Sequence, residues 1–124
     1  MKVKTAIDLA YLRMPGNSYS VQDMCTWLTS LEKMWVKFLN QLGYEGIATI
    51  VTEEEGDREL LIEEPYCECY VLWLVMKMHY YNGEIELYNN SAEAFNKMFE
   101  EAKRGFIREN KPRKSISFSS FREV

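Results

Sequence analysis

Seven consecutive residues, Tyr70-Val71-Leu72-Trp73-Leu74-Val75-Met76, form an uncharged run in the middle of a segment that reads as a helix. An α-helix turns once in about 3.6 residues, so a run of this length is apolar on every side. A helix that is apolar all round has to be covered all round. The chain has 124 residues, which leaves little other material for that cover. The sequence therefore predicts that neighbouring copies complete it, and that the chain is a component of an assembly.

The rest of the chain falls into segments around this run. Pro65 opens the helix, which is predicted over Pro65–Asn82. Gly83 breaks or bends the chain. A second long helix follows over Glu84–Arg108, with an apolar stripe at Ile85, Tyr88, Ala92, Phe95, Phe99, Ala102 and Phe106. Near the N-terminus, Val3, Ile7, Ala10 and Met14 recur at helical spacing and predict a short helix. Pro15-Gly16-Asn17 stops it. Ser20 is a good N-cap, with Asp23 supporting the first turn. The helix it opens runs to about Leu42 on the stripe Val21, Met24, Leu28, Leu31, Trp35, Phe38 and Leu42, and Gly43 ends it.

Ile47–Thr52 is β-branched and lacks helical period, so it reads as a strand. Glu53–Arg58 is a charged turn with a glycine, and Glu59–Glu63 reads as the return strand of a hairpin at about 47–63. From residue 111 onward there is a proline, alternating serines and no helical stripe. The expected fold is mainly α: a small helical bundle of about four helices over residues 1–110, with a short β-hairpin insertion and an extended basic C-terminal tail over 111–124.

Composition sets further bounds. Hydrophobic residues make up 47% of the chain, enough for a packed core. The net charge of −4 is too mild to argue for a nucleic-acid or membrane partner. Three cysteines make no disulfide framework. The N-terminus has no secretory pattern, because Asp8 and Arg13 interrupt any apolar region. The apolar run is far too short to span a bilayer. A reducing, cytosolic setting is expected.

Candidate chemistry is sparse. Cys67 and Cys69 are two apart on a helix and would face nearly opposite ways. No further cysteine or histidine cluster completes a metal site, so core packing is the expectation for them and for Cys25. His79, the one histidine, falls near a helix C-terminus, where the helix dipole favours it. No phosphate loop, nucleophile elbow or zinc-protease motif occurs. The seven methionines are spread along the chain and read as gap-fillers in the core. No catalytic residue, metal ligand or cofactor is expected.

Charge is unevenly placed. Glu53–Glu64 carries seven acidic residues against Arg58 alone, and Lys103–Val124 carries seven basic residues against Glu109 and Glu123. Two readings stand: solvated patches, or the tail of one copy meeting the acidic hairpin of the next in a head-to-tail ring. Ser115–Phe121 alternates polar and apolar residues through Phe118, the period of a strand that adds to a sheet edge elsewhere. A frayed terminus is the alternative.

Two tracts carry a resemblance. The first is Pro65-Tyr66, Tyr70 and Trp73-Leu74; the second is Tyr81-Asn82-Gly83-Glu84, Tyr88-Asn89-Asn90-Ser91 and Phe95-Asn96. With Ser20 and Trp27-Leu28 further upstream, the chain resembles small proteins from the structural gene modules of tailed bacteriophages and prophages. Within that group the resemblance is read as one to head–tail connectors, the adaptors that stack as a ring beneath the portal. The specific part is the N-G-E…Y-N-N-S tract. Cys67 and Cys69 depart from residues that are usually polar there, and the C-terminal tail matches no part of the pattern.

The resemblance implies a non-enzymatic virion protein of the neck, present in the host cytoplasm during assembly. It implies a homo-oligomer, a dodecameric ring, with portal and with tail or stopper proteins as partners. Packaged DNA would pass through the ring without sequence recognition, and no membrane is involved. Expected contacts with other subunits or the portal are Tyr66, Tyr70, Trp73, Tyr80, Tyr81 and Tyr88, with Arg113, Lys114, Ile116, Phe118 and Phe121 of the tail. Glu53, Glu54 and Glu55 are candidates for an acidic channel lining. The competing expectation is a small cytosolic helical module that binds a protein or nucleic acid through its basic tail.

Overall fold

The computed structural model describes residues 1–110. Four helices follow one another: α1 (Val3–Arg13), α2 (Val21–Gln41), α3 (Glu68–Asn82) and α4 (Ile85–Glu109). Together they form a small helical bundle. The expected tail contacts Arg113, Lys114, Ile116, Phe118 and Phe121, and the expected strand there, lie outside the described residues.

The helix ends follow their local chemistry. The Ser20 hydroxyl accepts from the Asp23 N–H, and the Asp23 carboxylate accepts from the Ser20 N–H, a reciprocal cap that starts α2. Gly83 ends α3 at φ +75°, a left-handed conformation that glycine adopts without a side-chain clash. Its N–H donates to Tyr80 O and the next N–H, of Glu84, donates to His79 O, which satisfies two end carbonyls. Helix α3 begins at Glu68 rather than at Pro65; over 63–70 the N–H groups of Tyr66, Cys69 and Tyr70 donate three residues back, to the carbonyls of Glu63, Tyr66 and Cys67.

The hairpin expected at 47–63 is not present: no sheet occurs among the described residues. The competing partner is the N-terminus. Helix α1 has no side-chain cap, so its first N–H groups need acceptors. Val3 N–H donates to Arg58 O at 2.9 Å, Lys4 N–H to Gly56 O at 3.0 Å, and Leu60 N–H donates to Met1 O at 2.9 Å. Gly56 and Arg58, at the end of the expected turn, thus cap α1, and the start of the expected return strand meets the N-terminus through Leu60 and an antiparallel bridge between Lys2 and Glu59. Residues 47–52 are tied down by side chains instead. Arg58 donates to Ile50 O and Ala48 O, and Thr29 Oγ1 accepts from the Val51 N–H.

Helix α3 lies at the centre and packs on α1, α2 and α4. The apolar run is enclosed by its own chain. Tyr70, Val71 and Leu74 are 0% exposed, Met76 6%, Trp73 and Val75 8%, and Leu72 is half-buried. This overturns the expectation that neighbouring copies are needed to cover it. Two sources of cover matter here, of which the spacing had indicated only Ala10. Ala6 and Ala10 are both fully buried, so the backbone of α1 lies close to the core. Leu60 and Ile62, in a loop without regular structure, add further apolar area.

One polar network sits in that core. Glu32 is fully buried on α2. Its carboxylate accepts from the Tyr70 hydroxyl and from the Leu61 N–H (3.1 Å), and the Tyr70 oxygen accepts from the Ile62 N–H (2.8 Å). Burial pushes the Glu32 carboxyl above its ordinary range, although the hydrogen bonds from Tyr70 and Leu61 pull the other way. The same burial, with the Glu32 charge beside it, raises the Tyr70 hydroxyl. The network pins the 60–62 loop to both α2 and α3.

The cysteines are packed as expected. Cys25, Cys67 and Cys69 are free and buried, and desolvation raises all three thiols. On α4 the stripe holds at Phe95, Phe99 and Ala102, whereas Ile85, its first member, is 73% exposed.

Gly105 on α4 packs directly beneath the Tyr66 ring. A Cβ there would lie 2.5 Å from the Tyr66 ring. Alanine gains about 1 kcal/mol of helix propensity over glycine, but the ring would have to move. Gly105→Ala is therefore expected to lose about 1–2 kcal/mol net in chemical denaturation. In a Tyr66→Ala background the same substitution should become stabilising.

Candidate functional site

An exposed corner lies where α3 turns into α4. Tyr80 and Tyr81 are each 58% exposed and Ile85 is 73% exposed, at the end of α3 and the start of α4. These are large apolar side chains left in solvent by a chain whose core is otherwise closed. Several such residues together mark a contact surface more often than scattered ones do.

The corner is built on a fixed base. The Tyr19 hydroxyl donates to Asn82 Oδ1 at 2.6 Å, and the Tyr11 hydroxyl donates to Tyr19 O at 2.8 Å. Asn82 Nδ2 in turn donates to Glu84 Oε1 at 3.0 Å, and His79 Nδ1 lies 3.1 Å from the same oxygen. Hydrogen bonds from Asn82 and then His79 hold the Glu84 carboxyl below the usual range, so the carboxylate is the stable form there. Glycine at 83 lets the two helices meet within this small set of bonds.

Aromatic rings extend the base outward. Tyr81 stacks on Trp27 with centroids 5.5 Å apart and planes 8° from parallel. Tyr19 meets the same indole edge-on at 5.4 Å. Tyr80 lies 5.1 Å from Tyr81 and 5.4 Å from Tyr88. Below them a depression of about 270 Å³ is lined by His79, Tyr80, Gly83, Glu84, Ile85, Tyr88 and Asn89. The lining combines aromatic faces, phenol hydroxyls and the Asn89 amide with the His79 imidazole and the Glu84 carboxylate.

The other expected contact residues are placed differently. Tyr70 is held in the Glu32 network. Trp73 donates from Nε1 to Trp27 O at 2.7 Å, and its ring lies 5.0 Å from Phe95 with the Lys77 ammonium 4.6 Å from its centroid. Both are core residues here, so neither is available to a partner. Tyr66 is half-buried over Gly105 and its hydroxyl accepts from Arg108 Nη2 at 3.2 Å. Tyr88 is half-buried and Tyr80 and Tyr81 remain accessible. Glu53, Glu54 and Glu55 form one exposed 3-10 turn on a different part of the chain. Glu55 accepts from the Thr52 hydroxyl at 3.0 Å and pairs with Arg58 at 3.7 Å.

Two participants were not expected at a contact: Trp27, which figured only in the resemblance, and Tyr19, which was not singled out. Trp27 and Tyr19 support the corner from α2 and the loop before it. Glu32 was missed as well, although a signal was present. It lies four residues after Leu28 and eight after Met24, on the apolar stripe of α2, where a carboxylate has to find partners.

Among the described residues, no group of three or more histidine, cysteine or acidic side chains is placed to hold a metal ion. None of their helices is long and apolar enough to cross a membrane. The chain matches no family model, no curated protein and no solved structure.

Proposed function

We propose that the chain is a non-enzymatic structural subunit of a tailed-phage neck, a head–tail connector that assembles as a ring between portal and tail. The reading rests on one coincidence. The Tyr81–Ser91 tract that carries the phage resemblance occupies the exposed aromatic corner, where tyrosines suit a protein contact. The contact on this reading is made by Tyr80, Tyr81 and Ile85, with Tyr88 at its edge, against a second copy or the portal. DNA passes along the ring without base contacts.

The enclosed core supports a second reading. A chain that covers α3 by itself needs no partner to fold, which suits a monomeric module acting on a protein or nucleic acid through its basic tail. One experiment separates the two. Light scattering and electron microscopy are applied to the chain alone and mixed with portal rings, for the natural sequence and for Tyr80→Ser/Tyr81→Ser. A neck subunit forms a discrete ring or caps the portal, and the double variant stays folded but binds at least about tenfold more weakly. A chain that stays monomeric in every mixture and binds DNA with a steep salt dependence overturns the connector reading.

A further inference from the structure

A second surface is independent of the aromatic corner. A cleft of about 150 Å³ opens where α4 ends. Trp35, Leu39, Leu61, Tyr66 and Phe106 give it an apolar lining, and Glu63, Glu64 and Glu109 line it as well. These three carboxylates are exposed, and none forms an ion pair with another described residue. Nearby acidic residues are matched. Glu55 pairs with Arg58, Asp57 with Lys2, Glu59 with the N-terminal amine and Glu68 with Arg13. Arg108 is the cation placed at the Tyr66 edge, and it is directed to the Tyr66 hydroxyl.

Asn110 also lines this cleft, so the chain leaves the described residues at its rim. The sequence that follows is Lys111-Pro112-Arg113-Lys114-Ser115-Ile116-Ser117-Phe118. It supplies three cations and two large apolar side chains, the complement of three unmatched carboxylates around an apolar floor. We propose that the cleft is the docking site of the chain's own Lys111–Phe118 segment. Lys111, Arg113 and Lys114 meet the carboxylates, and the apolar side chain of Ile116 or Phe118 covers the floor. The covalent tether gives such a segment a millimolar-scale effective concentration, so modest contacts suffice.

Limited proteolysis of the full chain tests this. Trypsin cleaves after Arg113 and Lys114, and the rate of that cleavage follows the undocked fraction. The substitutions Glu63→Gln, Glu64→Gln and Glu109→Gln together are expected to speed it about fivefold, since exposed pairs are individually weak. High salt should bring the natural chain to the same rate. If the triple variant fails to fold, Arg113→Gln/Lys114→Gln is read by chymotryptic cleavage after Phe118, with the same acceleration expected. Equal rates for all chains overturn the proposal. Protection that disappears on dilution places another copy's segment in the cleft and overturns the intramolecular assignment. Neither result bears on the connector reading, which is measured at Tyr80 and Tyr81.

Discussion

Glu32→Ala is expected to lose about 3 kcal/mol of folding stability, because it leaves the buried Tyr70 hydroxyl and the Leu61 N–H without their acceptor. That is a large share of the roughly 5–15 kcal/mol that holds a domain folded. The loop at 60–62 should loosen with it, since Ile62 N–H is bonded to the same Tyr70 oxygen. Urea denaturation gives the loss, and hydrogen exchange at Leu61 and Ile62 gives its location. A loss under about 1 kcal/mol would mean that the network contributes little.

The same carboxyl makes stability depend on pH in a defined direction. Its folded value is raised above the ordinary 4.5 by burial. Below the unfolded value both states hold the proton and folding bears no charge-burial cost. As pH rises through the raised folded value, the folded state must ionise a buried group, and stability falls. Glu32→Gln cannot ionise and should flatten the profile above about pH 4.5, while retaining one acceptor for its neighbours. A profile identical to that of the natural chain would refute the assignment.

Trp73→Ala is expected to cost about 3–5 kcal/mol and to lower the melting midpoint by at least about 10 °C. The indole is 8% exposed, bonded to Trp27 O and packed near Phe95. The loss should appear in the monomer at any protein concentration. This separates a core residue from an interface residue, whose removal would weaken association and spare the monomer. A Trp73→Ala chain that melts like the natural one but fails to assemble would return Trp73 to the interface.

The contrast between Trp73 and Tyr80 shows what a single sequence can and cannot say about a contact. Both are aromatic and both lie on α3. Their composition and spacing do not distinguish them. Each even has a ring of α4 beside it, Phe95 for Trp73 and Tyr88 for Tyr80, but Trp73 is 8% exposed and Tyr80 58%.

Local rules sufficed for the four helices. Ser20 and Asp23 start α2, Gly83 separates α3 from α4, and the three-four stripes of α2 and α4 bury the residues expected at Met24, Leu28, Leu31, Trp35, Phe95, Phe99 and Ala102. These are properties of neighbours along the chain, so they can be read there. Long-range competition set the rest. The 56–60 segment met the uncapped start of α1 rather than residues 47–52, and α1 with the 60–62 loop closed over α3 without help from another copy. Such outcomes depend on which distant groups meet first at lower free energy, a comparison that periodicity and capping do not contain.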